Sequence, residues 1–311
     1  MDLAEPQRVS EPDRYPEKKR LYEQGRVMGG GSSVNVQSAN RGLPRDYDCW
    51  AKLGASGWGW DDVLPYFKKV ESDQDFDGPL HGRDGPLPIR RIFREQWPAF
   101  ARQISSQLSS RGFADLDDQN GEFGDGMLPP TISNINGRRV SAAMAYPTLA
   151  VRRRPNLTIM SRTRADRLLF DGPRATGVRT EAGGAHRDVH GQHIIVTAGA
   201  LRSPALLMRA GIGSADALRK LNIEVIADRR GVGQNQRDHP PITTAAYLPR
   251  QLRLDPELRR PNHAVLRISS GDKAPPSICT SSPPTAPRGT VSASGLGCSC
   301  CGATSLPPSV A

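Results

Sequence analysis

Two stretches decide the reading of this chain: Gly25-Arg26-Val27-Met28-Gly29-Gly30-Gly31-Ser32-Ser33-Val34-Asn35 and, far downstream, Gly199-Ala200-Leu201-Arg202-Ser203-Pro204-Ala205-Leu206-Leu207-Met208-Arg209-Ala210-Gly211-Ile212-Gly213. In the first, Gly29, Gly30 and Gly31 permit positive φ and let the backbone approach a large ligand with no Cβ in between. The second follows Ile194-Ile195-Val196, an apolar run expected to form a buried parallel strand. That run ends in the small-residue turn Thr197-Ala198-Gly199-Ala200. A helix is expected next, opened by Ser203-Pro204 with proline in its first turn and closed at Gly211. Strand, small turn and helix in succession are how a doubly wound sheet presents backbone to a dinucleotide.

The text between and after these stretches supplies further elements. Asp61 is expected to cap a short helix whose apolar face is Val63, Leu64 and Phe67. His81-Gly82-Arg83-Asp84-Gly85-Pro86-Leu87 is a turn cluster in which His81 is expected to act as a hydrogen-bonded anchor rather than a chemical group. A helix is expected from Trp97 to Ser110. Strands are expected at 157–160, 165–170 and 177–179, with a turn at Asp171-Gly172-Pro173. A helix from Ala215 to Leu221, capped by Ser214, and a strand at 224–226 lead into Gly231-Val232-Gly233-Gln234-Asn235-Gln236-Arg237-Asp238-His239-Pro240.

Composition narrows the function classes. With 311 residues the chain can bury a large core. No apolar run approaches the roughly 20 residues that span a bilayer, and residues 1–20 are charged and proline-bearing, so a cytoplasmic protein without a transmembrane segment is expected. The formal net charge is +10. Its arginines are scattered, with no aromatic-interleaved stripe, which argues against a nucleic-acid partner. Of the five cysteines, Cys279, Cys298, Cys300 and Cys301 lie near the end. They have no histidine or second cysteine pair at ligand spacing, so no metal site is expected.

Together the two opening stretches resemble the paired signatures of the glucose-methanol-choline (GMC) family of FAD-dependent alcohol oxidoreductases, in a choline-dehydrogenase-like form. Arg41-Gly42-Leu43-Pro44-Arg45-Asp46-Tyr47-Asp48 and Gly57-Trp58-Gly59-Trp60-Asp61-Asp62-Val63-Leu64-Pro65-Tyr66-Phe67 resemble the same family. The resemblance implies an α/β fold: an incomplete, doubly wound FAD-binding domain (residues 1–70 and 150–240) and an interleaved, incomplete α+β substrate domain (residues 71–149 and 241–277). It implies FAD as cofactor and a small-molecule alcohol as substrate. Flavin would carry the redox step while a histidine base takes the hydroxyl proton. Carried over by motif position, the cofactor contacts are Gly29, Gly30, Ser32, Ser33 and Asn35 at the flavin end. Ala165, Ala198, Gly199 and Ala200 are the contacts on the adenosine side. Val36, Ala165, Ala210, Gln236 and Arg237 depart from the family's usual residues.

Two expected parts of the family pattern are missing from the sequence. No Gly-x-Gly-x-x-Gly turn precedes Gly25, and none of His81, His186, His190, His193, His239 or His263 matches the family's catalytic histidine, so no catalytic residue is assigned. Residues 278–311 turn Ser-, Pro- and Cys-rich and are read as a disordered tail in a shifted frame, lacking the apolar content that offsets ordering entropy. On this reading the chain is a fragment with impaired activity. The rival reading is a non-catalytic basic binding module.

Overall fold

The computed structural model describes residues 7–11, 15–22, 24–236, 241–249, 263–269, 276–282 and 291–299. The chain divides into two units, Met1–Arg154 with His239–Ala311, and Pro155–Asp238. The sequence reading instead grouped residues 1–70 with 150–240. Backbone pairing explains the difference. The arm that follows the Gly-rich loop runs beside residues 131–134: Ala39 N–H donates to the Thr131 carbonyl at 2.9 Å, and Ser133 N–H donates to the Gln37 carbonyl at 2.9 Å.

The larger unit carries a six-stranded sheet in the order Pro241–Ala246, Val291–Ser299, Pro276–Ser282, Val265–Ser269, Gly126–Leu128 and Ala114–Asp115. Neighbours are antiparallel except for the last pair, which is parallel. Two of these strands fall within or overlap residues 278–311, which the sequence reading left without regular structure. The paired strands are a difference from that expectation, while residues 283–290 and 300–311 lie outside the described set. A second sheet joins Glu71–Asp73, Leu87–Arg91 and Thr131–Ile132.

Between these layers Ile92, Trp97, Ala101, Met127, Ile132 and Ala264 form the apolar core. Trp97 is 1% exposed, and its indole N–H reaches the Ile92 carbonyl at 2.6 Å, so burying the ring leaves no orphaned donor. The helix expected at 97–110 is Ala99–Ser109, entered through Trp97 and Pro98, with Ala101 and Ser105 facing inward. The helix expected around Asp61 is Trp60–Val70. Its N-cap is Gly59, whose N–H donates to Asp62 at 3.1 Å, while Asp61 faces solvent.

The smaller unit is an antiparallel sheet of Arg164–Asp171, Arg174–Ala182 and Ala185–His190, with the helix Gly199–Arg209 packed against it through Leu168, Leu206 and Ala210. That helix starts a turn earlier than expected, which leaves Pro204 inside it. The expected buried strand at Ile194–Val196 is not formed. Ile194 and Val196 pack toward Leu168 and Leu206, but Ile195 is 83% exposed and the segment pairs with no strand among the described residues. Residues 157–160 are likewise unpaired and exposed rather than a strand. A doubly buried parallel strand needs a neighbour on each side and a cover on each face. Here only one face of the run is covered, so the alternation of an edge replaces full burial.

After the helix, Ile212–Gly213 pairs in parallel with Ala227–Asp228, slightly beyond the expected 224–226. The helix Ala215–Lys220 sits between them, its first amide held by Asp228 at 3.0 Å rather than by the Ser214 side chain. No helix among the described residues is long and apolar enough to cross a membrane. Gly211 closes the preceding helix at φ +84, and a Cβ there would lie 2.4 Å from the Glu224 carbonyl oxygen. Gly211→Ala is therefore expected to cost about 2 kcal/mol or more, through left-handed strain plus backbone displacement. Gly231, which has open space around its Cα, is expected to tolerate alanine within about 0.5 kcal/mol. Urea midpoints of the two variants check both values.

Candidate cofactor site and a buried ion cluster

Residues 25–36 form an exposed loop built around the short 3-10 turn Gly30–Ser33, with Gly29 at φ +87 and Gly30 at φ +52. The space where Gly30 and Gly31 would carry a Cβ is open. Gly29 differs, because a Cβ there would crowd the Ser33 hydroxyl at 2.5 Å and the Ala143 amide at 3.0 Å. The serine side chains turn back onto the loop: Ser32 Oγ donates to the Gly29 carbonyl at 2.6 Å and accepts from Ala142 N–H at 3.0 Å, and Ser33 Oγ donates to the Met28 carbonyl at 2.7 Å. The hydroxyl of Ser32 is thus spent on fixing the loop, as are its backbone groups: its N–H donates to the Gly29 carbonyl at 3.2 Å and its carbonyl accepts from Arg139 at 3.0 Å. Val27, Met28, Val34 and Val36 are all exposed around it, an apolar rim unusual for a solvated turn.

The other four residues assigned to the cofactor lie in the smaller unit. Ala165 sits on the strand Arg164–Asp171 opposite Thr180, with an exposed side chain, so only its backbone offers distinctive contacts. Ala198 caps the Gly199–Arg209 helix, and its N–H donates to Ser203 Oγ at 3.0 Å. Gly199 has φ +86 with open space at its Cβ position, and Ala200 follows in the first turn of the helix. Gln236 is the last described residue of the Gly231–Pro240 stretch; 237–240 lie outside the described set.

Sequence reasoning missed the strongest electrostatic feature of the larger unit. His81, Glu71, Asp73, Asp118, Arg41 and Arg91 are all buried and mutually engaged. His81 Nδ1 lies 3.0 Å from Asp73 Oδ2, and Nε2 lies 2.8 Å from Asp118 Oδ2. Arg91 bridges Asp73 and Asp118, while Arg41 pairs with Glu71. Glu71 also accepts from Gly82 N–H at 2.8 Å. Three carboxylates face two guanidiniums and one imidazole, so the set is neutral only when the imidazole is charged. Burial alone would depress the His81 pKa, but hydrogen bonds to Asp118, Asp73 and Glu71 outweigh it and raise the value from 6.5 to about 10. Burial likewise opposes ionisation of Glu71, Asp73 and Asp118, and their hydrogen bonds to His81 and the arginines hold all three below the usual carboxylate range.

Glu71, Asp73 and His81 could in principle converge on a cation. Their charges are instead met by the guanidiniums, which makes them an anchor of the kind expected for His81. His263 is fully buried, His186, His190 and His193 belong to the smaller unit, and His239 lies outside the described residues.

The sequence model of the GMC oxidoreductase family matches residues 15–241. The 5-(hydroxymethyl)furfural oxidase of Methylovorus sp. is 45% identical over 275 residues, covering 87% of this chain and 52% of the relative. An oxygen-dependent choline dehydrogenase of Brucella anthropi is 42% identical over 216 residues, covering 69% and 39%. Among solved structures, pyridoxine 4-oxidase from Mesorbium loti superposes with a TM-score of 0.72 at 27% identity, covering 89% of this chain and 57% of that one. A formate oxidase at 21% identity shares the fold, with a TM-score of 0.72. This chain belongs to the GMC oxidoreductase family, and it spans about half the length of the curated relatives that it matches.

The ion cluster makes the stability of the larger unit pH-dependent in a definite direction. Because the folded pKa of His81 lies above 6.5, its contribution is complete below pH 6.5 and is lost as pH rises through about 10. The carboxylates act oppositely: their contribution is present above the ordinary values of 3.8 and 4.5 and is lost as pH falls below them. Denaturation across this range should therefore give maximal stability between the carboxylate range and pH 6.5, with a decline on the alkaline side. His81→Gln should remove the alkaline slope and cost about 3–5 kcal/mol, since it strips one charge from a buried ionic set.

Proposed function

We propose that this chain serves FAD-dependent oxidation of an alcohol, with hydride transfer from a CH–OH carbon to flavin. Bound flavin supplies the hydride acceptor; the protein supplies position and electrostatics. The observation that carries the reading is the Gly25–Asn35 loop, whose open backbone at Gly30 and Gly31 and apolar rim fit a large, flat ring laid against it. In this reading Gly29, Gly30, Ser32, Ser33 and Asn35 contact the flavin, Asn35 through its carboxamide. Ala165, Ala198, Gly199 and Ala200 hold the adenosine portion. The activities of the relatives, an oxidase of 5-(hydroxymethyl)furfural and a dehydrogenase of choline, support a small alcohol as substrate.

No base is assigned. Both ring nitrogens of His81 face carboxylates and His263 is fully buried. Loss of a general base lowers rates by about 10²- to 10⁴-fold even in an intact site. The 311-residue chain alone is accordingly expected to show no oxidation of choline or 5-(hydroxymethyl)furfural above a boiled control, with an artificial electron acceptor and added FAD. Reproducible flavin-dependent turnover would show that the chain supplies its own base. Absence of any flavin binding, together with salt-sensitive binding to a polyanion, would favour the rival basic module.

A further inference from the structure

Arg139 lies outside every assignment made from the sequence, yet three of its hydrogen bonds end on the cofactor loop. Its Nη1 donates to the Ser32 carbonyl at 3.0 Å and to Asn35 Oδ1 at 2.9 Å, and its Nη2 donates to the Asn35 carbonyl. The Gln37 N–H donates to the same Oδ1 at 3.0 Å. Two donors converging on one atom require that atom to be the amide oxygen, because an amide nitrogen does not accept. Asn35 Nδ2 is left with no protein partner among the described residues, and the side chain is exposed. Arg139 has no carboxylate partner among them either: its acceptors on the loop are all neutral.

The geometry points to Arg139 as a positioning residue of the cofactor site, which acts by fixing the flip of the Asn35 carboxamide. With Oδ1 occupied twice, the NH₂ is the group offered to a ligand, so the ligand must present an acceptor there, as the carbonyls and ring nitrogens of isoalloxazine do. A flipped amide would set its NH₂ against Arg139 Nη1 and the Gln37 amide, leaving three donors facing one another. The orientation is thus settled before the ligand arrives, which lowers the ordering cost of binding. The inference rests on the FAD reading above and adds to it which atom of Asn35 meets the cofactor and what holds it there.

The test compares wild type with Asn35→Asp, Arg139→Gln, Arg139→Lys and the double variant N35D/R139Q, reading flavin fluorescence quenching and the thermal melt of each apoprotein. Asn35→Asp keeps both accepted hydrogen bonds, replaces the donor with a second acceptor oxygen and adds a negative charge beside Arg139. It should melt at or above the wild-type temperature while binding FAD about tenfold more weakly, a loss of about 1.4 kcal/mol. The same loss should appear with uncharged riboflavin, which separates the missing donor from repulsion of the FAD phosphates. Arg139→Gln should weaken binding, Arg139→Lys should weaken it less, and the double variant should bind no worse than the weaker single one, because both changes act on one contact. Asn35→Asp binding both flavins like wild type, or additive losses in the double variant, would overturn the inference while leaving the FAD reading intact. If wild type itself quenches no flavin, the FAD reading fails and the inference goes with it. If Arg139→Gln does not fold, Arg139→Lys carries the same comparison, and binding by it equal to wild type would overturn the role given to Arg139.

Discussion

A neutral set of six buried charges ties together segments of the larger unit that are distant in sequence. Desolvating three carboxylates and three cations is expensive, and such clusters persist only where geometry satisfies nearly every donor and acceptor. Arg91 reaches Asp73 on one strand and Asp118 on a distant loop, and its guanidinium lies 4.8 Å from the Phe76 ring centroid. Arg41 joins Glu71 and the Leu80 carbonyl, while its own N–H reaches Asn120. The chain just beyond the Gly-rich loop is therefore tied to three separate segments. For His81 to enter the set, its loop must lie flat on the end of the Trp60–Val70 helix. Gly82 permits this, since a Cβ there would fall 1.8 Å from the Lys68 carbonyl oxygen.

The consequence for function is preorganisation. A second set of contacts ties the loop from its other side: Ser32 to Ala142, and Arg139 to Ser32 and Asn35. The Gln37 side chain adds a bond from Asn134 at 2.8 Å. An exposed, glycine-rich, apolar-rimmed loop would ordinarily be costly to order on binding. Here much of that cost is already met within the larger unit, by Asn134, Arg139 and Ala142.

How much of this was legible in the sequence follows from how local each signal is. The positive φ of Gly29 and Gly30, the helix after Trp97, the closure of a helix at Gly211 and the anchoring role of His81 all depend on neighbours within a few positions, and the structure agrees with each, while Gly31 does not adopt positive φ. The partners of His81 were not legible. Glu71, Asp73 and Asp118 are ordinary acidic residues until the fold brings them together. Arg139 was hidden in the same way among 42 basic side chains. The apolar run Ile194–Val196 misled for the opposite reason: burial on both faces is a property of neighbouring strands, and among the described residues this segment has none. The cap at Asp61 failed because Asp48 and Asp62 reach the helix start first, at 2.9 and 3.1 Å.

Family membership and the loop's construction support the proposal that residues 25–36 are a flavin cradle held ready by the larger unit. Hydrogen–deuterium exchange of the 311-residue chain, with and without saturating FAD, tests that claim most directly. The account requires added FAD to slow exchange at the Gly29–Asn35 amides and at 198–200, with little change around the His81 cluster, which is already closed. Unchanged exchange in both stretches, with slowing confined to basic surface such as Arg152-Arg153-Arg154, would contradict it.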